Sequence, residues 1–512
     1  MLRNPKLLSR QSFIILGIFI LISIAGLYNL ERVPSPWWDE GWTLNTARNW
    51  VELGHYGQLN NGEQRDPGLS ASFPIVAPIA LSFRLFGVGA WQGRLPSVFY
   101  LFSSLILMFL LANKLYNRSI AIGTLFLLFL LSGPAQLHPL TMGRTVLAEI
   151  PMLFYLLAGY SFLLLALRKS VWWILAAALL WGIAINTKAQ TLPFWLASLC
   201  LPLGVTIIKR WWLQASYLTA GLLLAYLVSI GLKYLTKFML PELISASPIP
   251  GLVQVVAMVL EPRVRVIAIT AVLTIGLPTL CGFLYTAWRT YPTFREQTYP
   301  DAAEILRLAL LGFVGSWMLW YITLALNIDR YLFPAVFVGS IFTSAFLYDL
   351  TFHFNFNKTF RNASAIFFRS RKRHNFGAIF ALLLLILLLP FSVQYIISLY
   401  SSPGISVAEV TQYIEDMTKE DDLIETYESE LFFMLDRRYH YPPDEIDVQI
   451  ISREFIGNDV IYDYDPLEAD PDFLVIGQFA RISKIYDQVL TEGEFQFVAS
   501  IQDYDVYSRT EP

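Results

Sequence analysis

Eleven long apolar runs are the feature of this 512-residue sequence that most constrains its fold. A helix that crosses a bilayer needs about 20 consecutive, mostly apolar residues. Only 15% of the residues are charged, against about 25% in soluble proteins. The sequence therefore predicts a mainly α, polytopic membrane protein with about 11 transmembrane helices. The runs lie at residues 13–30, 95–112, 119–135, 145–167, 171–187, 189–208, 213–232, 266–288, 308–326, 331–348 and 377–398.

A further apolar segment, residues 71–90, is not counted as a span. It contains Arg84 and two prolines. If it crossed the membrane, every later loop would change sides and the charge bias of those loops would invert. We expect a helix that lies on the outer surface or re-enters the membrane.

The distribution of Lys and Arg predicts the orientation, because basic residues favour the cytoplasmic side of short loops. With the amino terminus inside, 18 of the basic residues before residue 401 are cytoplasmic and 12 are outside, whereas ten of the 14 acids are outside. We therefore expect a multi-pass protein of the plasma membrane with a cytoplasmic amino terminus.

Residues 401–512 have a different composition, with 26 acidic and 7 basic residues and a formal charge of −19. The sequence predicts two domains: a transmembrane domain at 1–400, with a first outer loop at 31–94, and a small extracytoplasmic α/β domain at 401–512. Helical spacing is present at 407–417, and strand-like stretches lie at 422–427, 472–477 and 495–501.

Common motifs of soluble enzymes are absent from the sequence. There is no phosphate-binding G-x-x-x-x-G-K-[ST], no H-E-x-x-H, no C-x-x-C and no G-x-S-x-G. We expect no ATP-driven pump, no metal site, no cofactor and no nucleic-acid partner.

Charged residues gather instead at the predicted outer ends of the apolar runs. Charges at such depth are costly unless paired or hydrated, which makes them functional candidates. Most of them also have a simpler interpretation. Arg94, Lys188 and Arg330 could be interfacial anchors whose heads reach water. Glu149 could be only a structural partner of Arg144 or Lys188, and Asp39 and Glu40 could belong to a solvated loop in an aromatic belt. The set comprises Asp39, Glu40, Arg94, Arg144, Glu149, Lys188, Asp329 and Arg330.

Asp39 and Glu40 are adjacent within "SPWWDEGW", residues 35–42. Adjacent side chains point about 100° apart in a helix and to opposite faces in a strand. The two carboxylates are therefore not expected to act as one pair. We expect one to face reacting atoms and the other to anchor the loop.

In this arrangement the sequence resembles the membrane glycosyltransferases of the C-type (GT-C) fold, and is similar to the protein O-mannosyltransferases and lipid A aminoarabinose transferases. The resemblance covers roughly residues 13–350. It rests on "WWDEGW", "FRLFGVGAWQGRLPSVF", "GRTVLAEIPMLFY", "GIAINTKAQTLPF" and "DRYLFPAVF", in the family's order. Many relatives have an aspartate where this chain has Glu149.

The resemblance implies inverting transfer of a sugar from a polyprenyl-phosphate donor to a protein, lipid or glycan acceptor outside the cytoplasm. Asp39 would be the general base and Glu40 would orient the loop. Cations near the phosphate would stabilise its growing charge during transfer, and Arg94, Lys188 and Arg330 are suitable residues. Substrate positioning is expected from Arg144, Glu149, Asp329, Tyr331, His55 and Tyr56.

Two other functions remain open at this stage. A lipid or solute transporter or flippase would also bury charges among many helices, although inverted repeats and midplane charges are typical there. An inactive relative that serves as an assembly protein would have the same sequence pattern. Membrane lipids are expected partners in every case.

Overall fold

The computed structural model describes residues 10–68, 71–131, 133–240, 252–296, 301–364, 373–456 and 462–510. Residues 1–9, which carry part of the predicted charge bias, lie outside the described residues. The helices that precede residue 402 in these ranges are α1 (Arg10–Leu27), α2 (Trp38–Glu52), α3 (Phe73–Phe86), α4 (Ala90–Leu115), α5 (Arg118–Leu130), α6 (Pro139–Arg144), α7 (Glu149–Arg168), α8 (Trp173–Thr187), α9 (Thr191–Ile208), α10 (Trp212–Met239), α11 (Leu252–Leu260), α12 (Pro262–Thr274), α13 (Leu277–Glu296), α14 (Ala302–Leu324), α15 (Phe333–Leu350), α16 (Phe356–Ser364) and α17 (Arg373–Ser401).

Seven helices in the described part of the chain are long and apolar enough to cross a membrane: α4, α7, α9, α10, α14, α15 and α17. The consecutive helices α12 and α13 form an eighth candidate if they are taken together. Shorter apolar helices α1, α5 and α8 occupy three of the remaining predicted spans. The mostly helical membrane architecture is confirmed, and the number of about 11 spans stays a prediction.

The run predicted as one span at 266–288 is interrupted in the structure. Helices α12 and α13 meet at an angle of 72°. Gly276 separates them, and Pro278 follows as the second residue of α13. Proline has no backbone N–H to continue the hydrogen-bond ladder of α12, so the chain turns there.

The ambiguous segment 71–90 contains α3, a helix of 14 residues. At about 1.5 Å per residue it is shorter than the roughly 30 Å hydrocarbon layer. Its buried face packs against α2, α4 and α8. Helix α5, with 13 residues, is equally short, so the expectation that α3 does not cross the membrane stays a prediction.

Large buried aromatic residues hold the bundle together. Helix α7 packs against α4 and α8, α8 against α10, and α9 against α14. Trp181, Trp195 and Trp317 are fully buried at these contacts. Gly159 permits the closest approach, because a Cβ there would lie 2.3 Å from Nε1 of Trp181. The packed helices provide a rigid base for the loops at their ends.

The chain after α17 forms a mixed sheet. Its helices are α18 (Val407–Met417), α19 (Asp444–Ile456), α20 (Gln478–Ser483) and α21 (Asp487–Thr491), and its strands are β3 (Leu423–Thr426), β4 (Arg438–His440), β5 (Phe473–Ile476), β6 (Phe495–Ile501) and β7 (Tyr504–Arg509). The strand order is β4-β3-β5-β7-β6. Strands β3, β4 and β5 are parallel, and β7 pairs antiparallel with β5 and β6.

The predicted small α/β fold of this region is therefore confirmed. Helix α18 has the predicted bounds, and β3, β5 and β6 lie where strands were expected. Strands β4 and β7 were not predicted; β4 has only three residues with charged or polar ends, which give no readable alternation.

The segment between α1 and α4 joins the sheet region in one hydrophobic core. This segment holds α2, α3 and a hairpin of β1 (Gln58–Asn60) and β2 (Glu63–Arg65). Leu44 and Ala47 of α2 share a buried cluster with Ile424, Leu431 and Phe432. The loop that carries the Asp-Glu pair and the sheet therefore fold against each other.

Candidate active site

Helix α2 begins at Trp38 and places both acids in its first turn. Negative charge is favourable there, because the positive end of the helix dipole lies at the amino terminus. The two side chains leave the helix in different directions and enter different environments.

Glu40 forms a buried, two-pronged pair with Arg94 of α4. Nε and Nη2 of Arg94 donate to the carboxylate of Glu40 at 2.7 and 2.8 Å. Nη1 of Arg94 donates to the carbonyl oxygens of Leu30 and Pro34 at 3.0 and 2.9 Å. The side chains are 2% and 1% exposed. Every nitrogen of this guanidinium is engaged, so the pair ties α2 to α4 and to the chain that follows α1.

Asp39 has a more open environment, with 26% of its side chain exposed. Its Oδ2 accepts hydrogen bonds from Arg330 and, at 2.9 Å, from Nε1 of Trp37. Among the described residues, no hydrogen bond reaches its Oδ1. One oxygen is thus held in place while the other is available.

The surroundings of Asp39 have opposing effects on the pKa of its carboxyl. Burial raises the pKa of the Asp39 carboxyl, but the charge and hydrogen bond of Arg330, the Trp37 donor and the charge of Lys188 outweigh it. The pKa of Asp39 is therefore held below its usual value. Asp39 is an anion at neutral pH.

A second partly exposed ion pair lies beside the pair of Asp39 and Arg330. Nζ of Lys188 donates to Glu149 at 2.5 Å. The ring of Tyr331 lies between the two cations, with its centroid 5.4 Å from Lys188 Nζ and 5.5 Å from the guanidinium carbon of Arg330. Two acids and two cations therefore form one group around Tyr331, which we call the Tyr331 cluster: Asp39, Arg330, Lys188, Glu149 and Tyr331.

Breaks in the helices position the members of this cluster. Glu149 is the first residue of α7, Lys188 directly follows the last residue of α8, and Arg330 lies in a 3-10 turn at Asp329–Tyr331. The turn is held by Trp317, whose Nε1 donates to the carbonyl of Tyr331 at 2.6 Å. The sequence predicted that these charges lie at one end of the bundle, and the structure places them there together.

Other predicted site residues lie apart from the cluster. Arg144 is buried and donates to the carbonyls of Ala25 and Asn29 at 2.8 and 3.2 Å, which ties α6 to the end of α1.

His55 and Tyr56 are engaged within the first loop itself. The hydroxyl of Tyr56 donates to the Ala71 carbonyl at 2.7 Å, and Nε2 of His55 lies 3.2 Å from the Arg65 carbonyl. Asp329 is half-buried beside Arg330, and burial raises the pKa of its carboxyl.

The tryptophans around Asp39 contact the carboxyl edge of the parallel strands. Ring centroids are 5.5 Å apart for Trp37 and Phe479, 5.5 Å for Trp38 and Tyr427, and 4.8 Å for Trp42 and Tyr441. The aromatic partners follow β5, β3 and β4 respectively. In open α/β sheets, ligands bind beyond this edge.

Hydrogen bonds fix the same contact. Nε1 of Trp38 donates to the Tyr427 carbonyl at 2.9 Å, and Oγ of Ser429 donates to the Trp38 carbonyl at 2.6 Å. Gly41 is required by this approach, because a Cβ there would lie 2.3 Å from the backbone of Ser429. Sequence reasoning missed Tyr427, Ser429 and Phe479; the glycine in "DEGW" was the one available signal of a close neighbour.

Comparisons with known proteins agree with this architecture. A family model described as dolichyl-phosphate-mannose-protein mannosyltransferase matches residues 74–233. No curated protein sequence matches the chain. The crystal structure of ArnT from Cupriavidus metallidurans bound to undecaprenyl phosphate superposes with a TM-score of 0.64 at 15% identity, over 98% of each chain.

A second structural neighbour is the archaeal oligosaccharyltransferase AglB from Archaeoglobus fulgidus, in complex with an inhibitory peptide and a dolichol-phosphate. Its TM-score is 0.51 at 13% identity, over 97% of this chain and 74% of that one. The chain is therefore a multi-pass membrane protein with the GT-C fold of membrane glycosyltransferases, as the sequence resemblance predicted.

Proposed function

We propose that this protein is an inverting membrane glycosyltransferase that moves a sugar from a polyprenyl-phosphate donor to an acceptor outside the cytoplasm. The observation that carries the proposal is the asymmetry of Asp39, whose Oδ2 is held by Arg330 and Trp37 while its Oδ1 has no partner among the described residues. A general base needs this combination of fixed geometry and an available oxygen.

The comparisons support a lipid-phosphate donor. Both structural neighbours bind polyprenyl-type phosphates, undecaprenyl phosphate in one and dolichol-phosphate in the other. The matching family model describes enzymes that use dolichyl-phosphate mannose. A donor of this kind reaches the site through the membrane in which the helices lie.

Lys188 and Arg330 are the cations proposed to bind the donor phosphate. Nε of Arg330 is buried without a hydrogen-bond partner in the described part of the chain, so this guanidinium retains one unused donor. When the sugar leaves, a phosphodiester with about one negative charge becomes a monoester with up to about two. Cations at this place therefore stabilise the transition state more than the ground state.

The transfer itself is a single displacement. The acceptor oxygen forms a bond to the anomeric carbon while the bond from that carbon to the phosphate oxygen breaks, and the electron pair leaves with the phosphate. The hydroxyl proton passes to Oδ1 of Asp39. The products are the inverted glycoside and polyprenyl phosphate.

Arg330 also connects donor binding to the strength of the base. In the free protein it pairs with Asp39 and contributes to the lowered pKa of that carboxyl. A donor phosphate competes for the same guanidinium. Asp39 then loses part of its stabilisation as an anion and becomes a stronger base when the donor is present.

We assign Glu40, Arg94 and Arg144 to holding the site in place. Arg94 was predicted as a phosphate ligand, but all three of its nitrogens already donate to Glu40 or to carbonyls. Glu149 holds Lys188, and Tyr331 supports both cations with its ring. His55 and Tyr56 shape the loop at 31–94.

The proposed side of the membrane follows from the charge bias. We propose that the sheet domain and the Tyr331 cluster are extracytoplasmic and that the membrane is the plasma membrane. Accessibility of cysteines introduced at Asp487, in the sheet domain, and at Arg118, the first residue of α5, tests this orientation.

The activity is tested with purified full-length protein in nanodiscs, EDTA and a panel of undecaprenyl-phosphate hexoses and pentoses. We expect the wild type to release at least one sugar to acceptor or water. Asp39→Asn should lower kcat/KM by about a hundredfold to ten-thousandfold, the usual contribution of a general base.

The matched control is Asp487→Asn, an exposed acid of the sheet domain that makes the same chemical change. Folded wild type that releases no sugar from any donor would overturn the proposal and favour a transporter or an inactive assembly protein. Full activity of Asp39→Asn would remove Asp39 from the mechanism.

A further inference from the structure

We infer that Phe479 of the sheet domain is a positioning residue for Asp39: its ring holds the Trp37 indole in the orientation that bonds Oδ2 of Asp39. The inference rests on the proposed function, in which Asp39 is the general base. It gives the sheet domain a part in the reaction that no sequence motif indicated.

The indole of Trp37 lies where two hydrophobic cores meet. It packs against the buried cluster of the membrane helices. It also meets the ring of Phe479 edge to face, with centroids 5.5 Å apart and ring planes at 83°, a geometry that aromatic pairs favour. Phe479 in turn packs against a buried cluster of the sheet domain. The orientation of the indole therefore depends on both domains.

This orientation matters because Trp37 supplies one of the two donors to Oδ2 of Asp39. Its Nε1 donates to that oxygen at 2.9 Å, and Arg330 is the other donor. A hydrogen bond weakens steeply when the donor turns away from the acceptor. Trp37 precedes the first residue of α2 and has an extended backbone, so packing of its ring is what directs the N–H.

A buried carboxyl group fixes the backbone of Phe479. Oε1 of Glu428 accepts from the amides of Gly477 and Ala480 at 2.9 and 2.8 Å, and Oε2 accepts from the amide of Phe479 at 3.3 Å. Glu428 is fully buried. Gly477 is required by this contact, because a Cβ there would lie 2.7 Å from Cδ of Glu428. The start of α20 is therefore held at three amides.

The neighbours of Glu428 hold the second tryptophan. Nε1 of Trp38 donates to the carbonyl of Tyr427 at 2.9 Å, and Oγ of Ser429 donates to the carbonyl of Trp38 at 2.6 Å. Three consecutive residues that follow β3 thus determine the positions of both tryptophans before Asp39. They hold Trp38 directly and Trp37 through α20.

Loss of the Phe479 ring removes one side of the packing around Trp37 and weakens its bond to Asp39. The donor of this bond helps to lower the pKa of the Asp39 carboxyl, so the pKa should rise. The base would also be less well oriented, which lowers kcat. Lys188 and Arg330 are unchanged, so the donor KM should stay the same.

The test compares full-length wild type and Phe479→Leu in nanodiscs over a range of pH, with a donor that the wild type hydrolyses. Phe479→Leu should lower kcat about twofold to threefold. It should move the acid limb of the kcat/KM profile about half a pH unit higher, because the active anion of Asp39 is lost at higher pH. A merely structural role would lower the amount of active protein without a shift of this limb. The charged groups that affect the Asp39 carboxyl are the same in both proteins: Arg330, Lys188 and Asp447.

Three single variants serve as comparisons. Phe479→Tyr retains the ring and should keep the wild-type kcat and acid limb. Glu428→Gln places an NH2 group against the amides at the start of α20 and should shift the limb in the same direction as Phe479→Leu. Phe497→Leu makes the same change at an exposed phenylalanine of β6 and should change neither quantity.

A double variant shows whether Phe479 acts through Trp37. The indole N–H is absent in Trp37→Phe, so the addition of Phe479→Leu should change neither kcat nor the acid limb further. Equal effects of Phe479→Leu in the wild-type and Trp37→Phe backgrounds would overturn the inference. An acid limb that stays in place in Phe479→Leu would do the same.

A measurement without turnover separates this inference from the proposed function. A carbodiimide modifies the protonated form of a carboxyl, so the pH dependence of labelling at Asp39, followed by mass spectrometry, reports the pKa of Asp39. The labelling midpoint should be higher in Phe479→Leu than in the wild type. An unchanged midpoint overturns the inference even if the wild type transfers sugar. A shifted midpoint in a wild type and variant that release no sugar supports the contact and overturns the proposed function.

Discussion

The two carboxylates at the start of α2, Asp39 and Glu40, each pair with an arginine, but their environments differ. Glu40 and Arg94 are almost fully buried and bond each other; Arg94 also donates to nearby carbonyls, and Glu40 also accepts from the Val146 amide. Asp39 and Arg330 are partly exposed, and each retains an atom with no hydrogen-bond partner among the described residues. Adjacent acids in one turn can therefore have different roles, because their environments leave them with different exposure and different unused hydrogen-bonding capacity.

The largest effect is expected from breaking the buried pair. Glu40→Gln leaves the guanidinium of Arg94 without its counter-charge in a dry place, and we expect a loss of about 3–5 kcal/mol of stability. Asp39→Asn breaks the partly exposed pair and should cost about 1 kcal/mol or less. Fluorescence-detected unfolding in nanodiscs measures both.

The control for this prediction is the double variant Glu40→Gln with Arg94→Met. Because it removes the unpaired charge, it should recover much of the lost stability. Equal shifts of the unfolding midpoint for Glu40→Gln and Asp39→Asn would contradict the division between the two pairs.

A smaller effect, on activity, is expected from Arg330→Gln. Hydrogen bonds to charged groups contribute about 1.5–3 kcal/mol, so the donor KM should rise about tenfold to a hundredfold. The acid limb of the pH profile of kcat/KM, which reports pKa values of the free enzyme, should also shift.

The direction of that movement follows from the lowered pKa of Asp39. The base works as an anion, so activity is present above its pKa and is lost as the pH falls through it. Arg330 is the main group that lowers this pKa. Without Arg330 the acid limb should lie at higher pH than in the wild type; a limb that stays in place would show that another group controls it.

The smallest effect is expected from Trp37→Phe. The ring contact with Phe479 remains possible, but the hydrogen bond from Nε1 to Oδ2 of Asp39 is lost. A single bond of this kind contributes about 0.5–1.5 kcal/mol, so kcat should fall about threefold to tenfold. Trp42→Phe is the matched control, because the Trp42 indole makes no hydrogen bond to Asp39 in the described part of the chain; a similar fall in both would place the effect in folding.

Local sequence patterns predicted much of the fold. The apolar runs predicted the long helices, and short apolar stretches bounded by Asp, Gly or Pro predicted β3, β5 and β6, since both signals depend on neighbours within a few residues. The break between α12 and α13 depended on Gly276 and Pro278, which the count of apolar residues overlooked. Strand β4 was too short to leave a pattern.

The site was predictable in its members and less so in its pairings. The position of charged residues at the ends of the apolar runs indicated Asp39, Arg330, Lys188 and Glu149 as site residues. Which cation meets which acid depends on contacts between residues as far apart as 39 and 330, and no local pattern encodes them.

The buried cluster shared by α2 and the strands has a consequence for engineering. Leu44 and Ala47 pack with Ile424, Leu431 and Phe432. There is also no room for a side chain at Gly41 beside Ser429. Residues 401–512 therefore cannot be exchanged alone. A chimera that replaces residues 401–512 alone would pair two surfaces that were never matched. A chimera between relatives therefore has to exchange residues 31–94 and residues 401–512 together. These two segments pack against each other although the membrane helices separate them in the sequence.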